Sequence, residues 1–312
     1  MNSQAFDRRS IPAGARFGEW KAPDGWTVRT LGRRQEKGAA VRGSLLFAGG
    51  RGDFIEKYLE AQDHWHRRGW EVTAFDWRGQ GGSQGGLPGG HLDRFETLVA
   101  DLAALIDSWL RESPGPHVVV AHSMGGHVLL RTLAERHPPI DAAVLVAPML
   151  RINSGPVPPA AAQWLASTAS LFGWGGQPAW QRSLIPEPAG SMRQSILTGC
   201  AERYDDELWW WEKHPSFNLG VPSWGWLKAA FQSCAALTPA RLAEVEAPVL
   251  LIATDRDRLV SAEAIRRAAG ELRRSELVMY DDSAHELLRE RDEVRLRALE
   301  AIDAFLDRHA PR

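Results

Sequence analysis

The sequence predicts a doubly wound α/β fold: a mostly parallel sheet, helices on both faces, and one helical insertion. Three observations carry that prediction. Short apolar runs recur along the chain, amphipathic helical patterns lie between them, and the alternation breaks once, over residues 151–237. Strands and helices alternating at this spacing are the signature of βαβ units.

The first 35 residues contain "GEWKAPDGWTVRTLG", which reads as an antiparallel hairpin added at one edge of the sheet. The apolar runs follow: "SLLFAG" from Ser44, "EVTAFD" from Glu71, "HVVVAH" from His117, "AAVLVAP" from Ala142, "PVLLIAT" from Pro248 and "ELVMY" from Glu276. Most are continuously apolar, as expected of parallel strands covered on both faces. Between the first two, "FIEKYLEAQDHWHRRG" sets Phe54, Tyr58, Leu59 and Trp65 near one stripe and closes on Gly69, a fitting helix end. "RFETLVADLAALIDSWLRE" places Leu98, Leu102, Leu105, Ile106 and Trp109 at helical spacing. "GGHVLLRTLAERHP" predicts a helix that stops at a proline, and "VRLRALEAIDAFLDRH" another near the C-terminus.

After Pro148 the pattern changes. A Pro-, Gly- and Ala-rich stretch leads into a Trp-rich helical stretch ending near Leu237, and strand character resumes at Pro248. The expected organisation is a core in two parts, 1–150 and 238–312, with a helical cap over 151–237. An insertion between two sheet strands makes a natural lid. Of the 14 tryptophans, Trp164, Trp174, Trp180, Trp209, Trp210, Trp211, Trp224 and Trp226 fall in this region. Indole offers a large apolar body with one polar handle, which suits either an acyl tunnel or the cap's own core. The "WWW" at 209–211 cannot all face one way on a helix.

Composition narrows the function. The chain has 312 residues, 44% hydrophobic and 24% charged, enough for a sizeable core. A formal net charge of −2 excludes the basic field of a nucleic-acid binder. Two cysteines, Cys200 and Cys234, make no disulfide framework and have no metal-like spacing. The N-terminal stretch has early charges and no apolar block of secretory type, and no window has the roughly 18 consecutive apolar residues of a membrane span. A cytoplasmic protein is expected, with any membrane contact peripheral and through the cap. No metal or organic cofactor is expected.

The stretch that carries chemistry is "VVVAHSMGG". Ser123 follows an apolar strand and precedes a helix, the context of a nucleophile elbow, G-x-S-x-G. Here Ala121 and Gly125 occupy the flanking small positions. A serine needs a base, and the base needs an orienting acid. In elbow-type hydrolases the order along the chain is serine, acid, histidine. "PVLLIATDRDRLV" ends a strand in Asp255 and Asp257, and "ELVMYDDSAHELLRE" ends the next and presents His285. His285 is expected to be the general base and then the general acid. The orienting acid is Asp257, with Asp255 as its rival. Asp281 and Asp282 read as turn residues, and His122 as a packing or supporting residue. The developing oxyanion requires two backbone donors, expected at Met124 and, in the glycine-rich loop "FAGGRGDF", at Arg51. The Arg51 side chain is expected to pair with a nearby acid, the alternative being an anionic substrate headgroup.

Taken together, "LLFAGGRGDFIEKYLE", "FDWRGQGGSQG", "VVVAHSMGGHVLL", "LVAPML", "ATDRDRLV" and "SAHELLRE" resemble the lysophospholipase and monoacylglycerol lipase group of α/β hydrolases. The similarity runs from about residue 40 to the end and includes part of the cap. It implies the α/β-hydrolase fold and cleavage of carboxylic esters of monoacyl lipids through an acyl-enzyme on Ser123. It also places the acid at Asp257 rather than Asp255. The partner expected is a small lipid ester. Relatives of this group include esterases and S33-like peptidases, so a non-lipid substrate is the alternative, and a non-catalytic binding protein a more distant one.

Overall fold

The computed structural model describes residues 6–311 except 86–87, 156 and 182–186, so part of the Pro-rich stretch lies outside the described residues. An eight-stranded sheet runs through it. The strands are β1 (Ala15–Lys21), β2 (Thr27–Arg33), β3 (Gly43–Ala48), β4 (Trp70–Phe75), β5 (His117–His122), β6 (Ala142–Val146), β7 (Val249–Thr254) and β8 (Ser275–Tyr280). Their spatial order is β1-β2-β4-β3-β5-β6-β7-β8. The β1–β2 hairpin joins β4 antiparallel, and every pair from β4 to β8 is parallel. This is the α/β-hydrolase fold with an antiparallel hairpin at one edge.

The apolar runs explain which strands lie where. β3, β6 and β7 are buried at every position, and β5 at all but its first, because helices cover both faces. β8 is half-exposed over five of its six residues because it is the sheet's other edge. One face is covered by α2 (Glu96–Glu112), α3 (Met124–Arg136) and α9 (Ala262–Glu271). The other carries α1 (Leu59–Arg67) and α10 (Asp292–His309). The helix expected from Phe54 begins as a tighter 3-10 turn, Ile55–Tyr58, before α1 takes over.

Between β6 and β7 lie α4 (Pro159–Ala169), a wider turn over Ser170–Trp174, α5 (Met192–Leu197), α6 (Ala201–Lys213) and α7 (Trp224–Ala236), then the short α8 (Pro239–Leu242). The tryptophans of this insertion divide three ways. Trp226 packs into the layer under α2 and α3, and Trp210 and Trp211 into the layer of α1 and α10. Trp209 is half-buried against the second layer, while Trp164, Trp174 and Trp180 are exposed. The insertion therefore shares both apolar layers of the body. It lies over the C-terminal ends of the parallel strands, where open α/β sheets place their ligands.

Candidate active site

Ser123 sits where β5 stops and α3 starts. Its backbone (φ 51°, ψ −115°) is in a region L-residues seldom occupy. Three backbone bonds hold it there. Its N–H donates to the Val146 carbonyl at 2.9 Å, and its carbonyl accepts from His127 and Met149 N–H at 3.1 and 3.0 Å. Such strain persists only where the surroundings over-determine it. The small residue at plus two is compulsory: a Cβ on Gly125 would stand 2.3 Å from the Gly49 carbonyl oxygen. The minus-two residue, Ala121, is fully buried, and its methyl fits.

The loops after β7 and β8 bring the partners. His285 Nε2 lies 2.9 Å from Ser123 Oγ, and His285 Nδ1 lies 2.7 Å from Asp257 Oδ2. The other carboxylate oxygen, Oδ1, accepts from the Leu259 and Val260 N–H groups at 2.8 and 2.9 Å, which fixes the acid's orientation. Burial pushes the His285 pKa down, but the Asp257 carboxylate, followed by Glu286 and Asp53, outweighs it, so the net shift is upward from 6.5. Burial pushes Asp257 up, yet His285 and the two amides hold it below the usual carboxylate range. Asp255 is elsewhere: it is exposed and pairs bidentately with Arg266 on α9 at 2.6 and 2.7 Å. Asp282 meets Arg297 at the surface. The geometry thus joins serine, imidazole and carboxylate in the relay that acyl transfer requires.

The loop after β3 passes beside the serine. A Cβ on Gly50 would come within 2.9 Å of Ser123 Cβ, so only glycine permits this approach. The Gly50 N–H donates to Asp53 at 2.6 Å and the Gly52 N–H to Gln80 at 2.7 Å, fixing the peptides on both sides of Arg51. Met124 opens α3, where the N–H has no acceptor within the helix. The described hydrogen bonds of the Arg51 side chain go to the carbonyls of Gly220 and Gly89, at 3.1 and 2.8 Å. Its guanidinium also lies over Trp226, 5.1 Å from the ring centre.

A cavity of about 710 Å³ opens over Ser123 and His285. Its lining combines apolar side chains, among them Met149, Ile152, Val221, Trp226 and Leu227, with the charged Lys57, Arg193, Glu207 and Glu286. The volume is in the range of a small-molecule site.

Residues 39–292 match the family model of the serine aminopeptidase S33 hydrolases. The chain is 31% identical to lysophospholipase L2 of Escherichia coli K12 over 286 residues, covering 85% of this chain and 80% of that one. It is 27% identical to a probable lysophospholipase L2 of Haemophilus influenzae, covering 86% and 85%. Among solved structures, a soluble variant of the Saccharomyces cerevisiae monoglyceride lipase, in complex with a substrate analog, superposes with a TM-score of 0.77. That match has 18% identity and covers 98% of both chains.

The chain belongs to the S33 hydrolase family.

In this S33 hydrolase the charged cluster beside the cleft is a feature the sequence motifs leave out. Lys57 Nζ stands 2.8 Å from Asp53, 2.6 Å from Glu286 and 3.4 Å from Glu207. Glu207 also meets Arg193 at 2.8 Å and Arg289 at 3.5 Å, and Arg289 meets Glu286. All but Arg193 are buried, and three cations balance three carboxylates. Burial pushes Glu207 up, but Lys57, Arg193 and Arg289 hold it down at about 2. Lys57 is pushed down by burial and, more strongly, up by Asp53, Glu207 and Glu286. His122 belongs to the same region: its Nδ1 reaches the Asp53 carboxylate at 2.9 Å and the Tyr58 hydroxyl at 3.0 Å. The i,i+4 spacing of Asp53 and Lys57 and the i,i+3 spacing of Glu286 and Arg289 were the local signals. Glu207 and Arg193 come from the insertion and leave none.

Proposed function

We infer that this hydrolase cleaves the carboxylic ester of monoacyl lipids, lysophospholipids or monoacylglycerols, through an acyl-enzyme on Ser123. Ser123 Oγ attacks the ester carbonyl while His285 Nε2 takes its proton. The carbonyl oxygen becomes an oxyanion facing the N–H groups of Met124 and Arg51. The C–O bond to the alcohol breaks, and the alcohol leaves with the proton from His285. Water then attacks the acyl carbon, giving a proton to the same nitrogen; the bond between the acyl carbon and Ser123 Oγ breaks, His285 returns the proton to Oγ, and the carboxylic acid departs. Asp257 keeps the proton of neutral His285 on Nδ1 and stabilises the imidazolium.

The observation that carries this reading is a Ser123–His285–Asp257 relay opening into one cleft lined by both apolar and charged side chains, which suits a substrate with one acyl chain and a polar leaving group. The names of the relatives point the same way. A small ester or a peptide is the weaker reading, because neither calls for a cleft of this size lined by so many apolar side chains.

The insertion supports peripheral contact with a lipid surface. Residues 152–181 contain no Asp, Glu, Lys or Arg. Trp164, Leu171, Phe172 and Trp174 are 63%, 84%, 70% and 59% exposed. Among the described residues no helix is long and apolar enough to cross a membrane. Both cysteines are free thiols, which suits the reducing cytoplasm.

The test is fatty-acid release from lysophosphatidylcholine and from a monoacylglycerol, beside a ladder of p-nitrophenyl esters. Turnover of at least one monoacyl lipid, abolished by Ser123→Ala with the fold intact, is expected. Labelling of Ser123 by a fluorophosphonate and cleavage of short esters, with neither lipid turned over, would overturn the lipid assignment.

A further inference from the structure

The loop that carries the Arg51 N–H is gripped from two sides. From the body, Trp77 Nε1–H donates to the Gly49 carbonyl at 2.7 Å, Asp53 accepts from Gly50, and Gln80 accepts from Gly52. From the insertion, the grip passes through the Arg51 side chain. Its Nη1 donates to Gly220, just ahead of α7, and its guanidinium lies over Trp226 within α7. Its Nη2 donates to Gly89, and the same loop is tied to the start of α7 by His91 Nδ1 and Ser223 Oγ, 2.8 Å apart. One side chain therefore gathers the insertion and the 89–91 loop onto the peptide at residue 51.

We propose that the Arg51 side chain is a positioning group that couples the seat of the insertion to the oxyanion donor. Leu219, Val221 and Trp226 line the cleft. An acyl chain lying against them presses on the segments that Arg51 holds. Chain occupancy is thereby converted into alignment of the Arg51 N–H, and hence into kcat. A displacement of about 1 Å at a reacting centre costs up to about 10²-fold in rate. Complete loss of one oxyanion donor costs about 10²–10³-fold. The inference rests on the assignment of that N–H as an oxyanion donor in the proposed reaction.

The experiment measures kcat and KM on p-nitrophenyl butyrate and p-nitrophenyl laurate. The proteins are the wild type, Arg51→Met, Arg51→Lys, Trp226→Leu and the Arg51→Met/Trp226→Leu double variant, with a thermal melt of each. The wild type is expected to turn over laurate with the higher kcat. Arg51→Met lowers kcat on laurate by about tenfold or more at nearly constant KM, so the chain-length ratio collapses. Arg51→Lys, which keeps a donor and a charge, recovers part of the loss. Trp226→Leu repeats the loss, and the double variant falls no further than the worse single, because both break one linkage. Should Arg51→Met fail to fold, Arg51→Lys and Trp226→Leu carry the same comparison. An unchanged kcat, a loss confined to KM, or losses that multiply in the double variant would overturn the coupling. A wild type that cleaves neither ester, or a Ser123→Ala variant that still cleaves them, would instead remove the catalytic reading on which the coupling rests.

Discussion

At the scale of single residues, the proposed role of His285 as general base predicts the pH range of the reaction. The attacking step needs neutral His285, and its pKa lies above 6.5 because the neighbouring carboxylates outweigh burial. The acid limb of kcat/KM, which reports the free enzyme, is therefore expected above pH 6.5, with activity falling as the pH drops through it. Asp257→Asn removes the strongest raising influence. It is expected to lower kcat by about 10⁴-fold and to move the limb of the residual activity toward acid. A limb that stays in place in the variant would show that another group controls it. Gly50 gives a second residue-scale test. Gly50→Ala puts a methyl 2.9 Å from Ser123 Cβ, so the loop must retreat. A kcat loss of about 10²-fold, read on a short ester, is expected. Ser123 and His285 could be read from the sequence because each follows the end of an apolar strand, where this fold collects its loops; the same position narrowed the acid to Asp255 or Asp257, and the family resemblance selected Asp257. The partners of the Arg51 guanidinium could not be read from the sequence. Gly220 lies 169 positions away along the chain, and no local pattern sets a loop of the insertion against it.

At the scale of elements, what was legible follows burial. β3, β5, β6 and β7 declare themselves because covering on both faces demands unbroken apolar runs. α9 did not, since its buried side is only Ile265 and Ala268, too small a stripe to stand out. The tryptophans showed that the insertion was different but not how its indoles would divide between body and solvent. The charged cluster was the least legible part, because it is assembled from separate elements: Lys57 in the turn before α1, Glu207 on α6, and Glu286 and Arg289 ahead of α10. Its stability role follows from desolvation. Lys57→Met leaves three buried carboxylates without their shared cation. Removing one partner of a buried ion pair costs about 3–5 kcal/mol, and a loss of that order in urea unfolding is expected. The pH sense is also fixed. Glu207 titrates near 2 in the fold against an ordinary 4.5. Its contribution is present above the ordinary value and is lost as the pH falls toward about 2. Lys57→Met, which removes its first cation, should narrow that window from the acid side.

At the scale of the whole molecule, the proposed contact with a lipid surface makes predictions from the distribution of charge and apolar surface. The exposed apolar residues of the insertion lie in a segment without any charge, on a chain whose net charge is only −2. Trp180 and Met192, 52% and 68% exposed, also line the cleft, so this surface continues into the rim of the site. Docking there would set the cleft against the lipid from which a monoacyl chain must be drawn. Because no basic residue belongs to the segment, attraction to anionic headgroups is not the driving force. Sedimentation with phosphatidylcholine vesicles is therefore expected to carry the protein down, with little change on raising the salt concentration. The double substitution Leu171→Asp/Phe172→Asp places two charges on this surface and should abolish co-sedimentation. Neither residue lines the cleft, so kcat/KM on monomeric p-nitrophenyl butyrate should stay within about twofold. Turnover of vesicle-borne lysophosphatidylcholine should fall with the binding. Binding that vanishes at high salt would instead assign the contact to a charged surface elsewhere. A mass that doubles with concentration in the wild type and not in the variant would assign the patch to a second copy of the chain.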